Sequence, residues 1–167
     1  MAYDPVRNVL VLFDPTTADF WFWDGVEWTS EPSGLQPETA GLVWDPSRGA
    51  ILIYTASEET WQWNGSLSLI TTQPGPIVGG LGGVGRLLAD TGRGVITLIA
   101  SNFYSGYPET WEWDGVAWTK MAPPVFYAVG GFITWYDHNR QRTMAYGGYP
   151  DCFPETCPAV SGLHEWD

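Results

Sequence analysis

Four stretches of this chain carry one phrase: "AYDPVRNVLVLF", "VWDPSRGAILIY", "LADTGRGVITLI" and "WYDHNRQRTMAY". Each holds Asp-x-x-Arg, as Asp4/Arg7, Asp45/Arg48, Asp90/Arg93 and Asp137/Arg140, with successive copies 41, 45 and 47 residues apart. A second landmark follows each: "FWFWDG" (20–25), "TWQWNG" (60–65), "TWEWDG" (110–115) and "LHEWD" (163–167). Two landmarks recurring in one order define a repeat. A unit of this length is one supersecondary element that buries its apolar faces only by stacking on its neighbours.

Each unit reads as four short strands. Strand a runs up to the aspartate, over 40–45 and 131–137 for example, and the Asp-x-x-Arg forms a tight turn into the apolar strand b. Strand c is the W-x-W segment, whose period of two puts Trp21/Trp23, Trp61/Trp63 and Trp111/Trp113 on one face. Asp24-Gly25, Asn64-Gly65 and Asp114-Gly115 then make the turn into strand d, because glycine after Asn or Asp suits the positive φ that hairpin turns require. Trp28 and Trp118 are expected to pack on strand d, and Ser68 to stand at that place in the second unit, leaving its outer strand looser. No segment has the 3.6-residue period of an amphipathic helix. The expected fold is all-β: a β-propeller of four-stranded antiparallel blades, with repeats over about 1–39, 40–83, 84–129 and 130–167 and the last blade incomplete. The tryptophans are then the flat side chains between blades, each removing ~150–250 Å² from water.

On these motifs the chain resembles Kelch-type propellers of the bacterial style, which join "MAYD…R…VLF" to "TWEWDG..W". The resemblance spans essentially the whole chain and implies blades stacked around an axis. Two departures stand out. The paired glycines of the family's strand b survive only as Gly147-Gly148, and His164 replaces the tryptophan found at Trp111. Met1 aligns inside strand a, with Leu42, Leu87 and Thr134, while Asp167 aligns with Asp24 and Asp114. Two expectations follow: a slice of a larger propeller, which the mid-repeat ends favour, or a small ring of four blades. The slice implies further blades or self-association, since cut arrays expose unpaired edges.

Composition narrows function. With 19 acidic and 7 basic residues the net charge is −12, a surface that repels phosphate backbones and anionic lipid. Neither nucleic acid nor membrane insertion is expected; no apolar run approaches the ~18 residues of a spanning helix. The start lacks a basic segment followed by an apolar one, so no signal peptide is visible. The "GLGGVG" stretch (80–85) matches a dinucleotide fingerprint only in spelling, because it leads into a strand rather than a helix. Asn64-Gly65-Ser66 is a glycosylation sequon already used as a turn. His138 and His164 show no partner for acid–base or metal work, and no metal, cofactor or catalytic constellation is expected. Galactose-oxidase-like copper enzymes are similar at the level of fold only.

The connections are asymmetric. Turns a–b and c–d stay short, whereas loops b–c grow to "NFYSGYPE" (102–109) and "YPDCFPETCPAVSG" (149–162), and the d–a connections are long as well. Insertions on one side of a repeat protein mark its binding side. Candidate ligand residues there are Phe103, Tyr104, Tyr107, Glu109, Tyr127, Tyr149, Asp151 and Glu155, with Phe126 and Phe153 nearby. Aromatic faces stack on sugar rings or peptide, and carboxylates accept their hydrogen bonds; packing of the long loops themselves is the competing role. Cys152 and Cys157 are expected to form a disulfide in the longest loop, which implies an oxidising, extracytoplasmic setting. Three functions remain open: a non-catalytic module for carbohydrate or protein ligands, the propeller part of a larger carbohydrate-active or oxidase-like enzyme, or a purely structural segment.

Overall fold

A computed structural model describes residues 1–35, 39–73, 75–76, 85–101, 108–121, 130–149 and 162–166. All regular structure among them is β-strand. The strands form four antiparallel sheets in simple sequential order, the blades of a β-propeller: three have four strands and the last has three. The chain divides into two compact units, Met1–Pro74 and Gly75–Asp167, each holding two blades.

In the first unit, blade one comprises β1 (Ala2–Asp4), β2 (Val9–Asp14), β3 (Asp19–Trp23) and β4 (Trp28–Pro32). Blade two comprises β5 (Thr39–Asp45), β6 (Ala50–Thr55), β7 (Thr60–Trp63) and β8 (Leu67–Thr71). Strand alternation sorts each blade into two faces. In blade one, Val11 pairs with Phe22 and Phe13 with Phe20, so these four share a face, and the W-x-W tryptophans take the other. In blade two, Ile51 pairs with Trp63 and Ile53 with Trp61, so the tryptophan face is apolar throughout. These two faces meet as the core of the unit, with Phe22 against Trp63 at a ring separation of 5.0 Å. Leu35, beyond β4, closes the end of this core; the Ser33 hydroxyl accepts from its amide and donates to the Ala18 carbonyl.

The second unit repeats the scheme. Blade three is β9 (Gly85–Asp90), β10 (Val95–Ser101), β11 (Pro108–Trp113) and β12 (Trp118–Lys120). Blade four is β13 (Gly130–Asp137), β14 (Arg142–Tyr149) and β15 (Leu163–Trp166). Ile99 of blade three packs on Phe132 and Ala145 of blade four. Across the same contact the Tyr136 hydroxyl accepts from the Gly92 amide at 2.9 Å, and a Cβ on Gly92 would lie 2.6 Å from that oxygen.

The Asp-x-x-Arg phrase builds the a–b turn four times. One oxygen of Asp4 accepts from the amides of Val6 and Arg7, and the other takes the Arg7 guanidinium at 2.8 Å. Asp90 does the same with Gly92, Arg93 and the Arg93 guanidinium. Asp4, Asp45 and Asp90 are buried, so these bonds replace water that the carboxylates have lost. The turn then needs a left-handed residue at its fourth place, supplied by Asn8, Gly49, Gly94 and Gln141 at φ 53–72°. The set is loosest in blade four, where Arg140 and Asp137 are 3.8 Å apart.

Two expectations about strand d change. Ser68 does not replace the tryptophan: Leu67 pairs with Trp63 as Trp28 pairs with Trp23 and Trp118 with Trp113. The second c–d turn is one residue shorter, closing from the Asn64 amide to the Ser66 carbonyl, and a bulge at Thr60/Trp61 restores the ladder. Leu67 thereby packs on the core. Trp28, expected to be packed, lies exposed on Trp23 with ring centres 5.5 Å apart, whereas Trp118 is buried.

The Asp90 carboxyl makes an acid-sensitive lock. Burial pushes its pKa up, but the Arg93 amide and guanidinium and the Tyr136 hydroxyl outweigh this and hold it below its ordinary value of 3.8. A depressed carboxylate contributes stability above the unfolded-state pKa, and that stability is lost as pH falls from there through the folded value. Urea midpoints of the chain should therefore fall as pH drops below ~3.9. Asp90→Asn should lower stability by about 1–3 kcal/mol at neutral pH and flatten this acid limb. An unchanged limb in Asp90→Asn would refute the assignment.

Candidate functional site

In blades one to three the a–b and c–d turns lie at one end of the sheet, and in all four blades the strands flanking the b–c loop meet at the other. The turn end is short in each blade and held by its own hydrogen bonds. Beside the a–b locks, Asp24 accepts from the amides of Val26 and Glu27 at 2.7 and 3.0 Å, and Asp114 from Val116 and Ala117 at 2.8 and 2.9 Å. These amides hold both carboxyls below their ordinary value. The positive φ falls on Gly25, Gly65 and Gly115, at 100–102°, while the preceding Asp acts as acceptor. Gly65 has a second reason to lack a side chain, since a Cβ there would lie 3.3 Å from the Arg7 guanidinium. That guanidinium sits over the Trp63 ring, 5.3 Å from its centre.

The connection end differs from blade to blade. The first two b–c loops are closed by the pairs Asp14/Asp19 and Tyr54/Thr60. In blade three the closing pair is Ser101/Pro108, and in blade four the strands flanking the loop end at Tyr149 and resume at Leu163. Two expected loop residues thus belong to strands. Glu109 lies in β11, paired with Ala100, and Tyr149 ends β14 opposite Gly130. Strand pairing runs further than the sequence pattern implies because Ala100 and Ser101 continue the ladder. Phe103, Tyr104, Tyr107, Phe126, Tyr127, Asp151, Phe153 and Glu155, together with Cys152 and Cys157, lie outside the described residues.

Glu109 is not a free acceptor. One carboxylate oxygen takes the Trp111 indole N–H at 3.0 Å and the other takes the Lys120 ammonium at 2.7 Å. Lys120 also lies 6.0 Å from the centre of the Trp111 ring. Blade two repeats the contact, with Trp61 donating to Glu59 at 3.0 Å. The signal was present in the sequence as Glu-Thr-Trp at 59–61 and 109–111. At a spacing of two, both side chains share a face, so the carboxylate meets the first tryptophan of the W-x-W phrase. Glu109 therefore orients Trp111 at the connection end of blade three.

The histidines have local contacts. His138 packs edge-on to Tyr136, ring centres 5.0 Å apart, and its Nδ1 lies 3.3 Å from the Thr91 hydroxyl. His164 pairs with Ala145 in the ladder. Among the described residues no cluster of three or more His, Cys, Asp or Glu could hold a metal ion. No helix among them is long and apolar enough to cross a membrane.

Glu109→Ala should lower unfolding free energy by about 1–3 kcal/mol by leaving the Trp111 N–H and Lys120 unmatched, and Glu59→Ala by a similar amount. Urea titration followed by tryptophan fluorescence measures both. A Glu109→Ala protein as stable as the parent would remove this positioning role. Searches against protein-family models, curated proteins and solved structures found no match.

Proposed function

We propose that the chain is a non-catalytic binding module of Kelch-like type that holds its ligand at the connection ends of blades three and four. The observation that carries the reading is the contrast between the two ends of the blades. The turn end is set by repeated carboxylate locks. The connection end carries segments whose lengths differ between blades and whose sequence is rich in tyrosine, phenylalanine and carboxylates. A rigid sheet with variable loops at one end is the usual construction of a binding surface. Trp111, oriented by Glu109, stands in β11, the strand that follows the 102–107 segment in sequence.

The ligand is a carbohydrate or a protein segment, not a polyanion, because a net charge of −12 opposes phosphate-rich partners. Phe103, Tyr104, Tyr107, Tyr127 and Tyr149 supply stacking faces, and Asp151 and Glu155 accept from hydroxyl or amide donors. Cys152 and Cys157 staple the longest loop as a disulfide, placing the protein in an oxidising, extracytoplasmic setting. Alkylation with and without reductant tests the staple, and equal masses in the two samples would dismiss it.

Glycan and peptide arrays, read with the parent and with Tyr104→Ala, Tyr107→Ala and Tyr149→Ala, test the binding reading. Each substitution should weaken retention about tenfold, the loss of ~1.4 kcal/mol, with an unchanged melting temperature. Undiminished retention in all three, or no retained ligand by the parent on either array, would end it.

A further inference from the structure

The repeat makes its three c–d turns comparable, and one differs in its chemistry. Those of blades one and three begin with Asp24-Gly25 and Asp114-Gly115, while that of blade two begins with Asn64-Gly65. Of the four asparagines in the chain, Asn64 alone precedes glycine. A glycine has no side chain to crowd its nitrogen, which can therefore approach the carboxamide of the residue before it. Asn64 and Gly65 are both exposed. The turn is held by the Asn64 backbone amide, which donates to the Ser66 carbonyl. Among the described residues neither the Asn64 side chain nor the Gly65 amide has a hydrogen-bond partner.

The comparable positions are closed to the same chemistry. Asp24 and Asp114 each accept from two amides and are held in the ionised form, and a carboxylate is a poor target for an amide nitrogen. The Asn8 side chain accepts from the Tyr3 hydroxyl at 2.6 Å, and the nitrogen after it belongs to the branched Val9. The nitrogen after Asn139 is that of Arg140, which already donates to Asp137 at 3.0 Å. Asn102 lies outside the described residues and precedes a bulky phenylalanine.

Arg7 of blade one stands beside this turn with one edge open. A Cβ on Gly65 would lie 3.3 Å from both its Nε and its Nη2, and the Trp63 ring beneath the guanidinium holds it there. Arg93 and Arg140 each meet two carboxylates, the aspartate of their own turn and a strand-c glutamate, Glu112 or Glu165. Phe22 takes the place of that glutamate in blade one, so among the described residues Arg7 bonds a single carboxylate, Asp4, through Nη1. We infer that Asn64 is a self-modification site, where deamidation supplies Arg7 with its missing second carboxylate and ties blade two to blade one. The Gly65 nitrogen bonds to the Asn64 Cγ and gives up its proton, and the side-chain nitrogen leaves as ammonia. Water then opens the cyclic imide at one carbonyl or the other, giving aspartate or isoaspartate. Either opening leaves one carboxylate at position 64. A carboxylate on an arginine fork makes a charge-assisted bond, stronger than the neutral carboxamide can offer.

Incubation of the whole chain at mildly alkaline pH, followed by peptide mass mapping, tests the inference. The peptide holding Asn64 should gain the mass of an amide-to-acid change ahead of those holding Asn8 and Asn139. Asn64→Gln should leave that peptide unchanged, because glutamine must close a larger ring. Asn64→Asp, which carries the product from the start, should raise the urea midpoint by about 0.3 M over the parent. The rise should vanish when Arg7→Gln is present in both chains, with far-UV circular dichroism confirming the fold of each. It should also shrink at high salt, a readout that needs no second substitution. Conversion no faster at Asn64 than at Asn8 or Asn139, no rise with Asn64→Asp, or a rise indifferent to Arg7→Gln or to salt would each overturn the inference. None of these residues lies in the long connections, so failure here leaves the binding reading standing.

Discussion

Blades one, two and three each depend on one buried carboxylate. Asp4, Asp45 and Asp90 lose their water on folding and regain hydrogen bonds from the amides and the arginine of the turn that follows. An unmatched charge in that place would be costly. Strand a and strand b can therefore meet there only with the chain wound through the same turn. The left-handed fourth residue, Asn8, Gly49, Gly94 or Gln141, is a consequence of that winding. With the first hairpin set, the ladder aligns Leu10, Ile51 and Ile96 with the second tryptophan of each W-x-W phrase.

From that register the packing follows by alternation. A blade has one face carrying the W-x-W tryptophans and one carrying the residue between them, and stacking joins unlike faces. The in-between residue reports the chemistry of each contact. Phe22 supplies an apolar partner for Trp63, whereas Glu112 clasps Arg93 at 2.7 Å. Arg93 thus ties the a–b turn to strand c as well as to Asp90. Arginine suits this double duty because its planar fork can bond two carboxylates at once.

Much of the blade is legible in the sequence because its rules are local. The period of two, the Asp-x-x-Arg turn and the Asp-Gly turn each involve residues within a few positions, and each appears where the repeat puts it. The second c–d turn shows the limit. Counting from Asn64-Gly65 selects Ser68, but a shorter turn and a bulge bring Leu67 to the core, because burying leucine is favoured over burying a hydroxyl. Glu109 shows another. Read alone it is an acidic residue ahead of a tryptophan; set beside Glu59 it is the acceptor that holds an indole in place. The long connections offered composition but no repeat, so their aromatic residues could be named as candidates without a geometry.

The sequence by itself determined the strand pattern, the four blades and the turns, since all depend on short-range spacing and on side chains that recur. Only the tertiary structure decided which tryptophans are buried. Trp28 and Trp118 hold the same place after the Asp-Gly turn and pair with the same tryptophan of the repeat, yet one is exposed and the other enclosed. Burial is a property of what lies across a face, and no spacing within a single repeat encodes that.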